Sequence, residues 1–416
     1  MRSIMHIDAN SAYLSWTALD MLVQGHHIDY RRVPAVVAGD PASRHGIILA
    51  ASIPAKKRYG IRTAMTLFEA RKRCPDLVVL KPDYDLYVRY SRAMHDILYD
   101  FSPAIERYSV DECYMDYSAS RRLFGDPVQA AHVLKNRIHK ELGFTVNVGV
   151  SVNKLLAKMA SELEKPNKVH TLYPSEVEEK MWPLDVQELF YCGRATAKKL
   201  RRIGVNTIGE IARSDLATIQ AVLMPAHGRL IHNYANGIDD SPVLMQDAEI
   251  QKGVGNATTL PRDVNNKREV HDVLLALSER VGARLRKLGR SARLIGLTVR
   301  SSDLTWYQHQ SMLDTPITTT QQIYEESKRL FSAMWKGEPV RQLGIRLSEL
   351  CADMNQQLSI FEDAEVEKQR SIDKTVDSIR SIFGSEAITR ATLLNVDLPS
   401  ALGDADDDGG YLMMGR

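Results

Sequence analysis

Apolar and polar positions alternate along the chain in recognisable periods. Residues 3–8, SIMHID, alternate and end on an acid, which predicts a short strand. The next stretch, NSAYLSWTALDMLVQG, predicts a helix that Asn10 or Ser11 can cap, with Leu14, Ala18, Met21 and Leu22 on one face and Gly25 at its end. A mixed segment follows, with the apolar run GIILAA, the basic cluster Lys56-Lys57-Arg58 and a helix-like TLFEARKRCP. Beyond Pro82 the pattern predicts a helix (YDLYVRYSRAMHDILYDFSP), a strand pair (ERYSVDECYMD), a helix (PVQAAHVLKNRIHKELG) and a strand of period two (FTVNVGVSV). Last comes a helix, NKLLAKMASELEKPNK, broken by Pro166. Strands and helices in this order suggest a split βαβ or ferredoxin-like sheet with an insertion.

From about Pro174 to Asp239 the strand signals vanish. RATAKKLRRIGVNTIGEIA reads as two short helices around a glycine turn, and Thr207 with Glu210 forms a capping box for the second. Residues 240–252 read as a linker. From Gly253 to Leu350 the pattern is α+β again, with strands in ARLIGLTVRS and VRQLGIRLSEL and helices in NKREVHDVLLALSERVGARLRKLG and TTTQQIYEESKRLFSAMW. The remainder is polar, apart from an amphipathic EKQRSIDKTVDSIRSIFG with Ile372, Val376, Ile379 and Ile382 close to one face. The final GDADDDGGYLMMGR reads as disordered.

At 416 residues the chain is long enough for two to four domains. Its 44% hydrophobic and 25% charged residues are those of a soluble globular protein, and no apolar run predicts a membrane span, so a cytoplasmic protein is expected. Four scattered cysteines without a CxxC pair, and histidines without an HExxH pattern, argue against zinc and disulfides. The net charge of +2 conceals an asymmetry. Residues 351–416 hold 6 Lys+Arg against 13 Asp+Glu, while the preceding 350 hold 48 against 39. A basic body with an acidic tail points to a polyanionic partner for the body.

Three carboxylates, Asp8, Asp111 and Glu112, stand at strand ends or turns, and a ferredoxin-like sheet would bring the first strand beside the hairpin. Adjacent acids repel, and a divalent cation removes that penalty. Oxygen-only ligands suit Mg²⁺, and two such ions would serve in-line phosphoryl transfer. Taken alone, an Asp-Glu pair is more often an exposed hairpin feature. The blocks HIDANSAYLS, IERYSVDECYMDYS and VNVGVSVNKLLAKMASELEKPNK, in this order, change that balance. Together they resemble the Y-family DNA polymerases of the DinB/UmuC type, over roughly residues 1–361.

The resemblance implies a multidomain α+β right hand: a ferredoxin-like palm (1–24 and 81–173), fingers (25–80), a helical thumb (174–239), a linker (240–252), an α+β little finger (253–350) and a tail (351–416). It implies a template-directed, error-prone polymerase that bypasses damage, using two Mg²⁺ ions on Asp8, Asp111, Glu112 and the Ala9 carbonyl. Tyr13 takes the steric-gate position and Lys165 that of the lysine reaching the triphosphate; Ser109, Asn153 and Lys154 are assigned supporting roles. Two departures stand out. Ile53 replaces the fingers tyrosine and Lys56 stands for an arginine, a point charge in place of a two-donor fork. Ala12 lies where an aromatic ring usually flanks the gate.

LFYCGRATAKKLRRIGV resembles the thumb helix-hairpin-helix, with Gly193 kept and Tyr191 in place of its paired glycine. Arg284 and Arg286, in an arginine-rich helix of the little finger, are candidates for DNA phosphate contacts. Gln357, Leu358, Ile360 and Phe361 in QQLSIFED resemble the peptide with which bacterial polymerases dock on the sliding clamp, their β subunit. The implied partners are primer–template DNA, deoxynucleoside triphosphates and that clamp, with the protein itself a monomer. A catalytically weak DNA- and clamp-binding accessory protein is the alternative that the altered fingers residues raise.

Overall fold

A computed structural model describes residues 2–39, 46–245, 251–352 and 364–394. The chain divides into two compact units, one built from Met1–Ala38 and Ile47–Glu249, the other principally from Ile250–Asp404.

The first unit opens with β1 (Ile4–Ala9), α1 (Ala12–Val23), β2 (Ala35–Ala38), β3 (Ile48–Ala51), α2 (Ile53–Tyr59), α3 (Leu67–Arg73) and β4 (Val78–Leu80). It continues through α4 (Tyr84–Tyr99), the hairpin β5 (Ile105–Arg107) and β6 (Glu112–Asp116), α5 (Arg121–Phe124), α6 (Pro127–Leu142), β7 (Val146–Ser151), α7 (Lys154–Glu162) and β8 (Val169–Thr171). A five-stranded sheet has the order β5-β6-β1-β7-β8, so the first strand lies at its centre. Every residue of β1 and β7 is buried, as expected for central strands covered on both faces. Helices α4 and α6 supply Leu86, Met94, Leu98, Leu134 and Ile138 to the core against this sheet. Strands β3-β2-β4 form a separate small sheet.

Helix α1 starts one residue inside the predicted span, and its N-cap Ser11 makes no side-chain capping bond. Ser11 sits in the left-handed region at φ 49°, and its hydroxyl accepts instead from Lys56 Nζ at 2.8 Å. Burial also differs from the predicted stripe: Ala12, Leu14, Ser15, Trp16, Thr17 and Ala18 are all buried, because the helix lies between the large sheet and the small one. Helix α7 ends at Glu162, ahead of Pro166.

Residues 174–239 are helical, with α8 (Val177–Lys180), α9 (Arg194–Arg201), α10 (Ile208–Arg213), α11 (Leu216–Leu223) and α12 (Pro225–Ala235) around a core of Leu189, Leu200, Ile211, Ile219 and Ile231. The capping box of Thr207 and Glu210 forms as the sequence predicts. Residues 239–244 are pinned to the large sheet rather than free. The Leu244 amide donates to Glu106 at 2.8 Å, and Asp239 accepts from the Leu155 amide at 3.1 Å.

The second unit is a four-stranded antiparallel sheet in the order β11-β10-β12-β9, with β9 Gly253–Val264, β10 Arg290–Ser301, β11 Trp306–Ile317 and β12 Val340–Ala352. Helices α13 (Lys267–Lys287) and α14 (Thr320–Met334) cover one face through Leu274, Val281, Leu285, Ile323 and Phe331. Strands β9 and β11 were not legible in the pattern: β9 alternates small or polar residues, and most of β11 is exposed. Helix α15 (Ala364–Phe383) forms as predicted, and of its apolar face Ile372 and Ile382 are exposed while Val376 and Ile379 are half-buried. Its buried position is Asp373.

Candidate active site

Strand pairing closes the distance between the acids. Antiparallel β1 and β6 run in a register that sets Asp8 opposite Glu112, and the Ala9 amide donates to the Asp111 carbonyl at 3.0 Å. Asp111 lies in the turn just before β6. Ser109 shapes that turn: its hydroxyl donates to Asp111 Oδ1 at 2.7 Å and accepts from the Glu112 amide at 3.0 Å. The Ala9 backbone is at the same strand end, paired with Val146 on the far side.

Helix α7 crosses above these strands and adds what the sequence reading missed. Glu162 joins the cluster, so that Asp8, Glu112 and Glu162 each offer a carboxylate oxygen within 4.8 Å of one another. Lys158 Nζ lies 2.6 Å from Glu112 Oε2. Lys165 bonds Asp8 and lies 2.8 Å from Glu162. The loop holding Lys165 is itself tied down, as Asn147 donates to the Glu164 carbonyl at 2.7 Å and Asn10 accepts from the Asn167 amide at 2.9 Å. His6 shares a strand face with Asp8, and its Nε2 is 3.4 Å from Glu112 Oε2. Two signals could have revealed these residues. One is the i, i+4 spacing of Lys158 and Glu162 on a largely apolar helix. The other is the i, i+2 spacing of His6 and Asp8 on a strand.

The electrostatics follow from burial. Asp8 is pushed above the usual carboxylate range by burial and by Glu112, against the pull of Lys165. Burial also raises Asp111. Burial works the same way on Glu112, but His6 and Lys158 outweigh it and hold its carboxyl down to about 2. Burial lowers Lys165, yet Asp8 and Glu162 more than compensate and raise it. The donor set is thus oxygen-only and crowded with like charge, with Asp8 buried, Glu112 half-buried and Glu162 exposed, which fits a hard divalent cation.

Tyr13, on the first turn of α1, stacks on Tyr87 with ring centroids 4.2 Å apart and 7° between planes, and meets Tyr84 edge-on. Burial raises its hydroxyl above the usual range. Lys56, on α2, is lowered by burial and by the neighbouring Lys165 ammonium. Ile53 begins the same helix and is 42% exposed.

Gly193 is the N-cap of α9, with open space where a Cβ would stand. Tyr191 before it holds φ 67°. Arg284 reaches the Gly255 carbonyl at 3.4 Å. Arg286 is placed otherwise than expected. Its side chain is 12% exposed and is committed to Asp377 at 2.6 Å and Asp373 at 3.1 Å. The sheet face opposite α13 is the open one, and it presents Arg300 beside Trp306 and Gln342, with Arg346 beside Gly296. Gln357, Leu358, Ile360 and Phe361 lie outside the described residues.

Comparison with known proteins agrees with this arrangement. Residues 7–162 match the impB/mucB/samB family, and residues 251–360 match its C-terminal domain. The chain is 44% identical to a DNA polymerase IV of Clostridium acetobutylicum over 391 residues, covering 94% of this chain and 98% of that one. It is 36% identical to the DNA polymerase IV of Acetivibrio thermocellus, covering 94% and 98%, and 38% identical to DNA polymerase IV 2 of Bacillus subtilis, covering 87% and 88%. In fold it matches a solved Y-family DNA polymerase chimera at a TM-score of 0.74, with 20% identity over 84% of this chain and 99% of that one. Buried acids on neighbouring central strands, the two matched domains and the near-full-length relatives converge: the chain belongs to the DNA polymerase IV group of the Y-family DNA polymerases.

Proposed function

We propose that the protein copies damaged template DNA with low fidelity, adding deoxynucleotides to a primer 3′ end at the cluster around Asp8, Asp111 and Glu112. The observation that carries this reading is the β1–β6 register, which brings Asp8 against Glu112 with Asp111 on the adjoining turn. Two Mg²⁺ ions bound there would lower the pKa of the primer hydroxyl and balance the charge of the triphosphate and leaving pyrophosphate. Asp8, Asp111, Glu112 and the Ala9 carbonyl would be their ligands. Lys165 and Lys56 bind triphosphate oxygens as point charges. The Tyr13 ring, backed by Tyr87, lies under the sugar and excludes a 2′-hydroxyl.

Residues 1–24 and 81–173 then act as palm, 25–80 as fingers, 174–239 as thumb and 253–350 as little finger. The Gly193 helix start holds a primer–template phosphate through backbone amides. The open sheet face with Arg300 and Arg346 gives the little finger a second, sequence-independent hold on DNA, weakened by salt. Arg284 is retained as a phosphate contact; Arg286 is not, because its charge is already paired. Residues 357–361 dock on the sliding clamp, and the protein works as a cytoplasmic monomer. No helix among the described residues is long and apolar enough to cross a membrane.

Primer extension with Mg²⁺ tests the reading. The wild type extends a primer on a template, and Asp111→Ala does not; equal extension by both would remove Asp111 from the chemistry. Deleting residues 357–361 is expected to abolish stimulation by the clamp and to spare basal synthesis.

A further inference from the structure

We propose that Lys158 is a positioning residue for the polymerase reaction: it fixes the Glu112 carboxylate in one orientation from beneath the active site. The proposal rests on the reading of Glu112 as a cation ligand. Lys158 lies in the middle of α7, where every residue from Leu155 to Ser161 is buried. Its side chain is 11% exposed, and its ammonium lies 2.6 Å from Glu112 Oε2. The rings of Tyr108 and Phe190 stand 5.5 Å and 5.4 Å from the same ammonium. An ammonium walled by aromatic rings has little solvent to turn to, so its charge is spent chiefly on the carboxylate it touches, that of Glu112.

A second contact converges on the same oxygen. His6 Nε2 lies 3.4 Å from Glu112 Oε2, and its Nδ1 is 2.8 Å from the Ser161 hydroxyl. That hydroxyl donates back to the Lys158 carbonyl at 2.8 Å. Glu112 Oε2 is therefore held by the Lys158 ammonium, with the His6 ring packed beside it, which leaves Oε1 as the oxygen to present outward. The contrast with Lys165 is instructive. That side chain is 34% exposed and stands on a loop, suited to meeting a substrate, whereas Lys158 is enclosed. A ligand held in this way binds with one oxygen and does not swing, and outer groups of this kind are worth about 10- to 100-fold in activity.

The test is Lys158→Met in the full-length protein. Single-nucleotide incorporation gives kcat and KM, and Mn²⁺ titration followed by electron paramagnetic resonance reads the cation site without turnover. The expected result is a kcat lower by at least about tenfold, with nucleotide KM and Mn²⁺ affinity each within about threefold of wild type. Lys158→Arg should recover part of the lost kcat. A kcat for Lys158→Met within about twofold of wild type would overturn the proposal. So would a loss of Mn²⁺ binding as large as that of Glu112→Gln, because Lys158 would then merely maintain the site. Phe190→Ala, which removes one wall and keeps the lysine, covers the case in which Lys158→Met does not fold. It should lower kcat without weakening Mn²⁺ binding, and an unchanged kcat counts against the proposal. Glu112→Gln separates the two levels. If it stays active, the cation-ligand reading fails and takes the proposal with it. If it is inactive while Lys158→Met is normal, only the proposal fails.

Discussion

Gly149 is the position where one added methyl should do the most damage. It lies in central strand β7, opposite His6 of β1, with helix α7 directly above. A Cβ there would stand 1.9 Å from the Ala157 carbonyl oxygen and 2.5 Å from the Ser161 amide nitrogen. Both atoms are helix backbone, so no side chain can rotate away. Restoring even a tight contact requires α7 to retreat by about 1 Å from a sheet packed at crystal-like density. Overpacking of this kind costs about 1–3 kcal/mol, and a clash with backbone belongs at the upper end, near 3 kcal/mol. The same displacement would carry Lys158 away from its 2.6 Å contact with Glu112. Gly149→Ala should therefore lower the urea midpoint of unfolding by the equivalent of about 3 kcal/mol, and primer extension by the folded fraction should also fall. Gly296→Ala is the matched control: it too lies in a strand, and its nearest neighbour would be 3.8 Å away. If Gly149→Ala unfolded within about 0.5 kcal/mol of wild type and extended primers normally, the close packing of α7 on β7 would be refuted.

Other consequences are as specific. Arg286→Met should leave buried Asp373 with the Thr320 amide and a 3.9 Å approach of Arg390 but no close cation, and cost up to about 3 kcal/mol. Helix α15 should then lose protection from proteolysis, whereas unchanged protection would show that the Arg286–Asp373–Asp377 cluster does not hold it. Burial, with Arg107 alongside, holds His95 down to about 3. The unfolded chain takes up that proton from about pH 6.5 downward while the folded chain does not, so stability falls as pH drops from about 6.5 toward 3, by up to about 1.4 kcal/mol per unit. His95→Leu should flatten that acid limb of the denaturation profile, and an unaltered limb would place the sensitivity elsewhere. Tyr13→Ala should raise ribonucleotide incorporation relative to deoxynucleotide; unchanged sugar discrimination would remove the gate role.

Local order was legible in the chain itself. The helix start at Thr207–Glu210, the strand around Val146–Val150 and the helices on either side of it need only neighbouring residues, because caps and periodicity act within a few positions. The motifs around Asp8, Asp111 and Glu112 pointed in the same way to acids with a shared purpose. Elements whose character depends on a neighbour were harder to read. Strand β11 carries mostly exposed residues and exists because β10 pairs with it. In α15 the buried position is Asp373 rather than Ile372 or Ile382 of the apolar face, since Arg286 and the Thr320 amide both bind it. Arg286 itself, a candidate for a DNA phosphate contact in the sequence, is paired with Asp373 and Asp377 instead.

The active site shows the same division. Local pattern along the chain fixes which carboxylates stand at strand ends and where the lysines fall. Asp8 and Glu112 become partners through one register of two antiparallel strands, and α7 with the loop after it brings Lys158, Glu162 and Lys165 over them. The physical reason is range. Caps, turns and periodicity are set by contacts a few residues apart, whereas the charge state and orientation of a buried acid depend on whatever the fold places within a few ångströms. For Glu112 those neighbours come from β1 and α7, segments that its own stretch of sequence does not contain.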